Sequence, residues 1–135
     1  MADVALKPAD RESLERYARI AERLARELDE LLSAHEALQK RRKKIVASGK
    51  KPTWYLDRRD AWNAEALTWR RKKVATLRTV AEQHVTAFTG MLKIWSGMMG
   101  TPQHKIFDTE MRRIDEPYNR SLDKLKRRTL NNIDS

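Results

Sequence analysis

A heptad seam in the first third of the chain constrains the fold more than any other feature of this sequence. Between residues 14 and 45, the step from one seam position to the next alternates between three and four residues. This spacing is typical of a helix that packs one narrow face against other helices. Pro8 suits a first helical turn, and no helix-breaking residue follows before Ser48-Gly49, so the pattern predicts a helix over residues 8–47. His35 and Arg42 occupy two seam positions, and the others are apolar: Leu14, Tyr17, Ala21, Leu24, Leu28, Leu31, Leu38 and Ile45.

The next segment, Ser48-Gly49-Lys50-Lys51-Pro52, predicts a tight connection at residues 48–53. Gly49 can adopt the left-handed conformation that ends a helix, and Pro52 prevents one continuous helix. Residues 54–99 are predicted to be helical again, with Thr53 or Asp57 as the cap, because apolar residues recur every eleven positions. Two helices of similar length predict an antiparallel hairpin in which residue i lies beside about residue 100 − i.

Gly100-Thr101-Pro102 marks a second boundary, with a glycine that ends one helix and a threonine and proline that begin another. A third helix is predicted over about residues 102–131, and Pro117 is expected to kink or split it. The tail LNNIDS is predicted to fray. The prediction is a single all-α domain over residues 1–135, a long antiparallel helical hairpin with a third, Pro-interrupted helix packed on it.

The positive charge is concentrated in the middle of the chain. Residues 40–79 carry fourteen basic and three acidic side chains, whereas the net charge of the whole chain is +10. Such a surplus favours a polyanionic partner. In the predicted hairpin, residues 70–73 lie near Glu27, Asp29 and Glu30, and Arg78 lies near Glu22, which is ordinary charge complementarity. Lys50 and Lys51 have no acidic neighbour, so the hairpin tip is either a solvated helix end or a binding surface.

The candidate nucleic-acid-binding residues follow from this charge distribution. Trp54 borders the tip, where it can stack on a base or instead cap the hairpin core together with Tyr55. Trp62 and Trp69 are predicted to be core residues. The first group of candidates is Lys40, Arg41, Arg42, Lys43, Lys44, Lys50, Lys51, Trp54, Arg58 and Arg59. The second group is Arg70, Arg71, Lys72, Lys73, Arg112, Arg113, Lys126, Arg127 and Arg128.

Residue patterns that indicate catalysis or cofactor binding are missing from this sequence. Without cysteine there is no disulfide, thiol nucleophile or cysteine-based zinc site. His35, His84 and His104 lie far apart, and the first two are expected to make contacts between helices. No phosphate-binding glycine loop or zinc-protease motif is present. We therefore expect a non-enzyme without metal or cofactor. We also expect it to be cytoplasmic, because neither a signal peptide nor a membrane span is apparent.

In size, helicity and basicity, the whole chain resembles the small helical subunits of CRISPR effector complexes. That resemblance rests on no motif. It implies a non-catalytic subunit, present in several copies in a ribonucleoprotein, whose Lys/Arg surface faces guide RNA or the target strand. The expected function is binding to the phosphate backbone of RNA or single-stranded DNA without sequence specificity.

Other functions remain open. The first is a phage or bacterial structural or assembly protein that acts through helical protein–protein interfaces, since the long seam, four Trp and five Met suit protein packing. A lesser alternative is suggested by Trp95-Ser96-Gly97, which looks like the Trp-x-Gly turn motif of helical hairpins exported by type VII secretion. That family's export signal, a Tyr with an acid four residues on, is lacking because Leu122 follows Tyr118 at that distance. Membrane-surface binding is not favoured, because the apolar stripes are assigned to helix packing.

Overall fold

The protein is an all-α helical bundle of three helices. The structure is a computed structural model that describes residues 5–134. Helix α1 spans Pro8–Ala47, α2 spans Tyr55–Gly97 and α3 spans Pro102–Arg127. Within the described residues there is no β-strand. The predicted fold class is therefore confirmed, although the third helix ends at Arg127 rather than near residue 131.

Glycine and proline set the helix boundaries as the sequence predicted. Gly49 and Gly100 have φ values of 75° and 84°, in the left-handed region that glycine adopts without a steric penalty. Pro102 is the first residue of α3, where its missing N–H leaves no hydrogen bond unmade. The predicted caps of α2 are wrong, because Trp54 precedes its first residue and makes no side-chain capping hydrogen bond.

Two buried tryptophans fix the antiparallel register of α1 and α2. Trp62 Nε1 donates a hydrogen bond to the backbone oxygen of Leu38 at 2.8 Å, and Trp69 Nε1 donates to that of Leu31 at 2.9 Å. In both pairs the residue numbers add to 100, so the predicted register is confirmed. Both rings belong to the core, as expected from their helical spacing.

The core runs along α1, and α3 packs mainly against that helix. All eight apolar seam residues of α1 are buried, and so is His35. One end of the core contains Phe107 and Met111 of α3. The other end contains Trp62 and Trp69 of α2 together with Leu125 of α3. Among residues 5–134, no helix has a stretch long and apolar enough to cross a membrane.

In the C-terminal part, the predicted fraying of the tail is wrong, and of the two outcomes expected at Pro117 the split does not occur. Helix α3 runs through Pro117, which is exposed, so water can solvate the carbonyl that lacks a donor. The tail does not fray: the side chains of Leu130 and Ile133 are 1% and 6% exposed. The backbone N–H of Ile133 donates to Asn63 Oδ1, and the Asn63 side chain donates back to the Ile133 carbonyl. Ser135 lies outside the described residues.

Candidate nucleic-acid interface

Five exposed lysines surround the hairpin tip, at the end of α1 and in the connection to α2. We call Lys40, Lys43, Lys44, Lys50 and Lys51 the tip lysines. Along the described chain, none of the five forms an ion pair. Like charges at this density repel one another, and no ion pair with a described residue offsets that repulsion. An external polyanion would relieve it.

The tip arginines differ from the lysines because each is held by a neighbour. Arg41 forms an ion pair with Glu65 across the hairpin, and Arg59 pairs with Asp60 at 3.2 Å. The guanidinium of Arg42 lies 5.8 Å from the centre of the buried Trp62 ring. These side chains contribute positive potential, but moving any of them toward a ligand would cost an existing contact.

Trp54 and Tyr55 have different environments despite being adjacent. Tyr55 is buried in the core, whereas Trp54 is 38% exposed at the tip. The guanidinium of Arg58 lies 4.5 Å from the centre of the Trp54 ring, a cation–π distance. An exposed indole held by a cation, beside free lysines, has the chemistry of a base-stacking platform.

Two shallow hollows collect basic side chains from separate segments. One, of about 300 Å³, is lined by Arg41 and Lys44 of α1 and Arg58 of α2, with Ile45 and Ala61 between them. The other, of about 350 Å³, is lined by Lys40, Lys43 and Arg128 together with His35, Glu36 and Gln39. The structure thus brings Arg128, which follows α3, next to the tip lysines on α1.

The four predicted residues at 70–73 have two different environments: two of them bind the C-terminal tail, and two are exposed to solvent. Arg70 donates hydrogen bonds to the Leu130 carbonyl at 2.7 Å and to Asn132, and Lys73 Nζ donates to the Arg128 carbonyl at 2.6 Å. Burial lowers the pKa of Lys73. The expected partners of these two residues on α1 were wrong, because the docked tail takes their place. The other two members, Arg71 and Lys72, are exposed.

The candidates on α3 lie in the middle of that helix and at its C-terminal end. Arg112 pairs with Asp108, and Arg113 pairs with Glu110, one turn away on the same helix. Asp108 also accepts a hydrogen bond from Trp95 near the end of α2, so this pair lies far from the tip. In contrast, Lys126, Arg127 and Arg128 are exposed where α3 ends, and Arg128 lines the hollow that contains Lys40 and Lys43.

A buried polar cluster links all three helices, and sequence reasoning found only part of it. The Tyr17 hydroxyl donates to Asp115 Oδ1 at 2.5 Å and lies 3.0 Å from His84 Nε2. His84 Nε2 lies 3.2 Å from the same carboxylate oxygen, and its ring stacks on Tyr118. Burial, and then the hydrogen bond and charge of Asp115, raise the pKa of Tyr17. The seam spacing predicted the interhelical role of His84, but no local pattern marked Asp115.

Residues 5–134 contain no group of three or more His, Asp or Glu side chains arranged to hold a metal ion. The Trp95-Ser96-Gly97 motif lies at the end of α2, where Trp95 Nε1 donates to Asp108 of α3 at 3.1 Å. Comparisons of the chain with protein families, with curated proteins and with solved structures found no match.

Proposed function

We propose that the protein is a non-catalytic subunit that binds the phosphate backbone of RNA or single-stranded DNA, without sequence specificity, inside a larger nucleoprotein assembly in the cytoplasm. The observation that carries the proposal is the set of tip lysines, which are exposed and lack ion-pair partners among the described residues. Flexible, unpaired ammonium groups bind phosphates and release counterions without losing an internal contact.

The exposed Trp54 supports single-stranded nucleic acid over a duplex. Bases in a duplex are stacked on one another, whereas those of a single strand are free to stack on a protein aromatic ring. CRISPR effector complexes, which contain small helical subunits, are one assembly of this kind. This chain resembles those subunits in size, helicity and basicity, and that resemblance supports the assignment, which is part of the proposal.

The binding reaction should depend steeply on salt. Each neutralised phosphate of a single strand contributes about 0.7 to the slope of log affinity against log salt, so five lysines predict a slope of about −3.5. Raising salt from about 50 to about 200 mM should then weaken binding about 100-fold. Fluorescence anisotropy with a labelled single-stranded RNA oligomer measures this directly.

A charge-matched pair of variants locates the site. Changing Lys43, Lys44, Lys50 and Lys51 together to Gln should reduce the slope to about −0.7. The control changes four exposed basic residues elsewhere to Gln and therefore has the same net charge: Arg19, Arg26, Lys93 and Lys105. Equal loss of affinity in both variants would mean that only net charge matters, and unchanged affinity in the tip variant would refute the proposed site.

A second candidate function is a structural or assembly protein, and one observation favours it. Helix α2 exposes several large apolar side chains, including Leu67, Val74, Val85 and Leu92. If the anisotropy titration shows no binding even at low salt, this candidate leads, and the tip would then contact an acidic protein.

A further inference from the structure

Four of the five large apolar side chains that α2 exposes form a straight row, and the fifth, Leu56, lies on the same face closer to the hairpin tip. Between Leu67, Val74, Val85 and Leu92 the steps are seven, eleven and seven residues. At 3.6 residues per turn these steps are close to two, three and two whole turns, so all four side chains lie on one face. Their exposed fractions are 39%, 63%, 61% and 39%. We call these four residues the α2 stripe; it is about 38 Å long.

The α2 stripe is separate from the face that α2 buries. The buried residues of the same stretch are Trp69, Val80 and Met91, which pack toward α1 and α3. Leu92 borders an open groove of about 330 Å³ between α2 and α3. Single exposed apolar residues are normal on protein surfaces, whereas four that share one helix face over about seven turns form an aligned row that a partner helix can cover.

The positions in the stripe are symmetric about one point. Leu67 and Leu92 are equally far from the midpoint between Thr79 and Val80, and so are Val74 and Val85. In an antiparallel pair of α2 helices with a two-fold axis at that point, Leu67 of each copy faces Leu92 of the other. Val74 likewise faces Val85. The stripe is therefore complementary to itself, as a two-fold interface requires.

The charges beside the centre of the stripe fit the same arrangement. Arg78 and Glu82 are exposed, are one helical turn apart, and form no ion pair among residues 5–134. The antiparallel register places Arg78 of one copy beside Glu82 of the other, and the pair occurs twice. A parallel pair would instead place each of these charges against its own equivalent, which is repulsive.

We infer that a second copy of this chain binds the α2 stripe and forms an antiparallel, two-fold symmetric dimer. Within each monomer, neighbouring residues already cover part of the four side chains. Dimerisation therefore buries only a small additional apolar area, and the dimer should be reversible. The tip end of α2 lies about 37 Å from the two-fold axis, so the dimer carries two basic tips at opposite ends. The dimer itself does not depend on nucleic-acid binding.

Charge reversal tests the register directly. Sedimentation velocity of the wild-type protein, without nucleic acid, should show a monomer that becomes a dimer as concentration rises. Arg78→Glu alone and Glu82→Arg alone should each weaken dimerisation at least tenfold, since like charges then face each other. An equimolar mixture of the two variants should form a heterodimer at wild-type strength, because both interchain pairs become complementary. Interactions within a single chain would not restore association when the two variants are mixed, so this result would be specific to contacts between copies.

A hydrophobic pair of variants tests the face. Val74→Glu should abolish the dimer, whereas Leu56→Glu should leave it intact. Leu56 is 57% exposed on the same face of α2, but in the antiparallel register it would face position 103 of the other copy, beyond the end of α2 at Gly97. Both positions are exposed, so circular dichroism should show unchanged helicity. A wild-type protein that stays monomeric at all concentrations, or a variant mixture that does not associate, would overturn the inference. Neither outcome bears on RNA binding, which is measured separately.

Discussion

Removal of the Tyr17 hydroxyl tests whether the buried polar cluster stabilises the bundle. Tyr17 is almost fully buried, and its hydroxyl donates to the carboxylate of Asp115 at 2.5 Å. Hydrogen bonds to charged groups contribute about 1.5 to 3 kcal/mol, so Tyr17→Phe should lower the free energy of unfolding by about 2 kcal/mol. The loss stays moderate because His84 still contacts that carboxylate at 3.2 Å.

The expected loss converts to a measurable thermal shift. With about 2.1 cal/mol/K of unfolding entropy per residue, a 135-residue chain has about 0.28 kcal/mol/K at its midpoint. A loss of about 2 kcal/mol therefore lowers Tm by about 7 °C. Tyr55→Phe is the matched control, because Tyr55 is also buried but its hydroxyl makes no hydrogen bond within residues 5–134. That variant should change Tm by less than about 2 °C.

The pH dependence gives an independent check of the same variant. The pKa of Tyr17 is raised above its usual value of 10.0 in the folded state, so folding holds the phenol proton. The resulting stability is fully present below pH 10 and is lost as pH rises above that value. Urea titrations monitored by circular dichroism should show a constant difference between wild type and Tyr17→Phe from pH 7 to 9, which shrinks above pH 10. An unchanged Tm, or a difference that grows above pH 10, would refute the assigned role of this hydrogen bond.

Three further predictions concern the tip, the turns and the tail. Trp54→Ala should weaken binding to single-stranded RNA about 5- to 150-fold in the anisotropy assay, whereas Trp54→Phe should retain most of the affinity. If the two variants bind the RNA with equal affinity, stacking on residue 54 is excluded. Gly100→Ala should lower the free energy of unfolding, measured by urea titration, by about 1 to 2 kcal/mol, because Gly100 has a φ of 84°. Gly90→Ala should raise it by about 1 kcal/mol, because Gly90 lies inside α2, where alanine is the better helix former. Leu130→Ala should cost about 2 to 5 kcal/mol if the tail is docked, and a cost below about 0.5 kcal/mol would indicate a frayed tail.

The candidate site was only partly predictable from the sequence. Charge density located the tip, because like charges that are close in sequence on one helix stay close in the fold. The sequence could not separate the unpaired Lys43 from Arg41, whose partner Glu65 lies on the other helix. It also assigned Arg70 and Lys73 to acids on α1, although the tail carbonyls hold them. Arg70 and Lys73 are far from the tail in the sequence, so their partners are known only from the structure, in which the tail packs against α2.

Periodicity and the glycine–proline boundaries determined the three helices, their antiparallel hairpin and its register, since these depend on residues within a few turns of one another. Tertiary structure decided the rest. It buried Leu130 and Ile133, brought Asp115 to Tyr17 and His84, and left Val74 and Val85 uncovered on α2. The physical reason is that burial and pairing depend on which helix covers which face, and that choice follows from the packing of all three helices together.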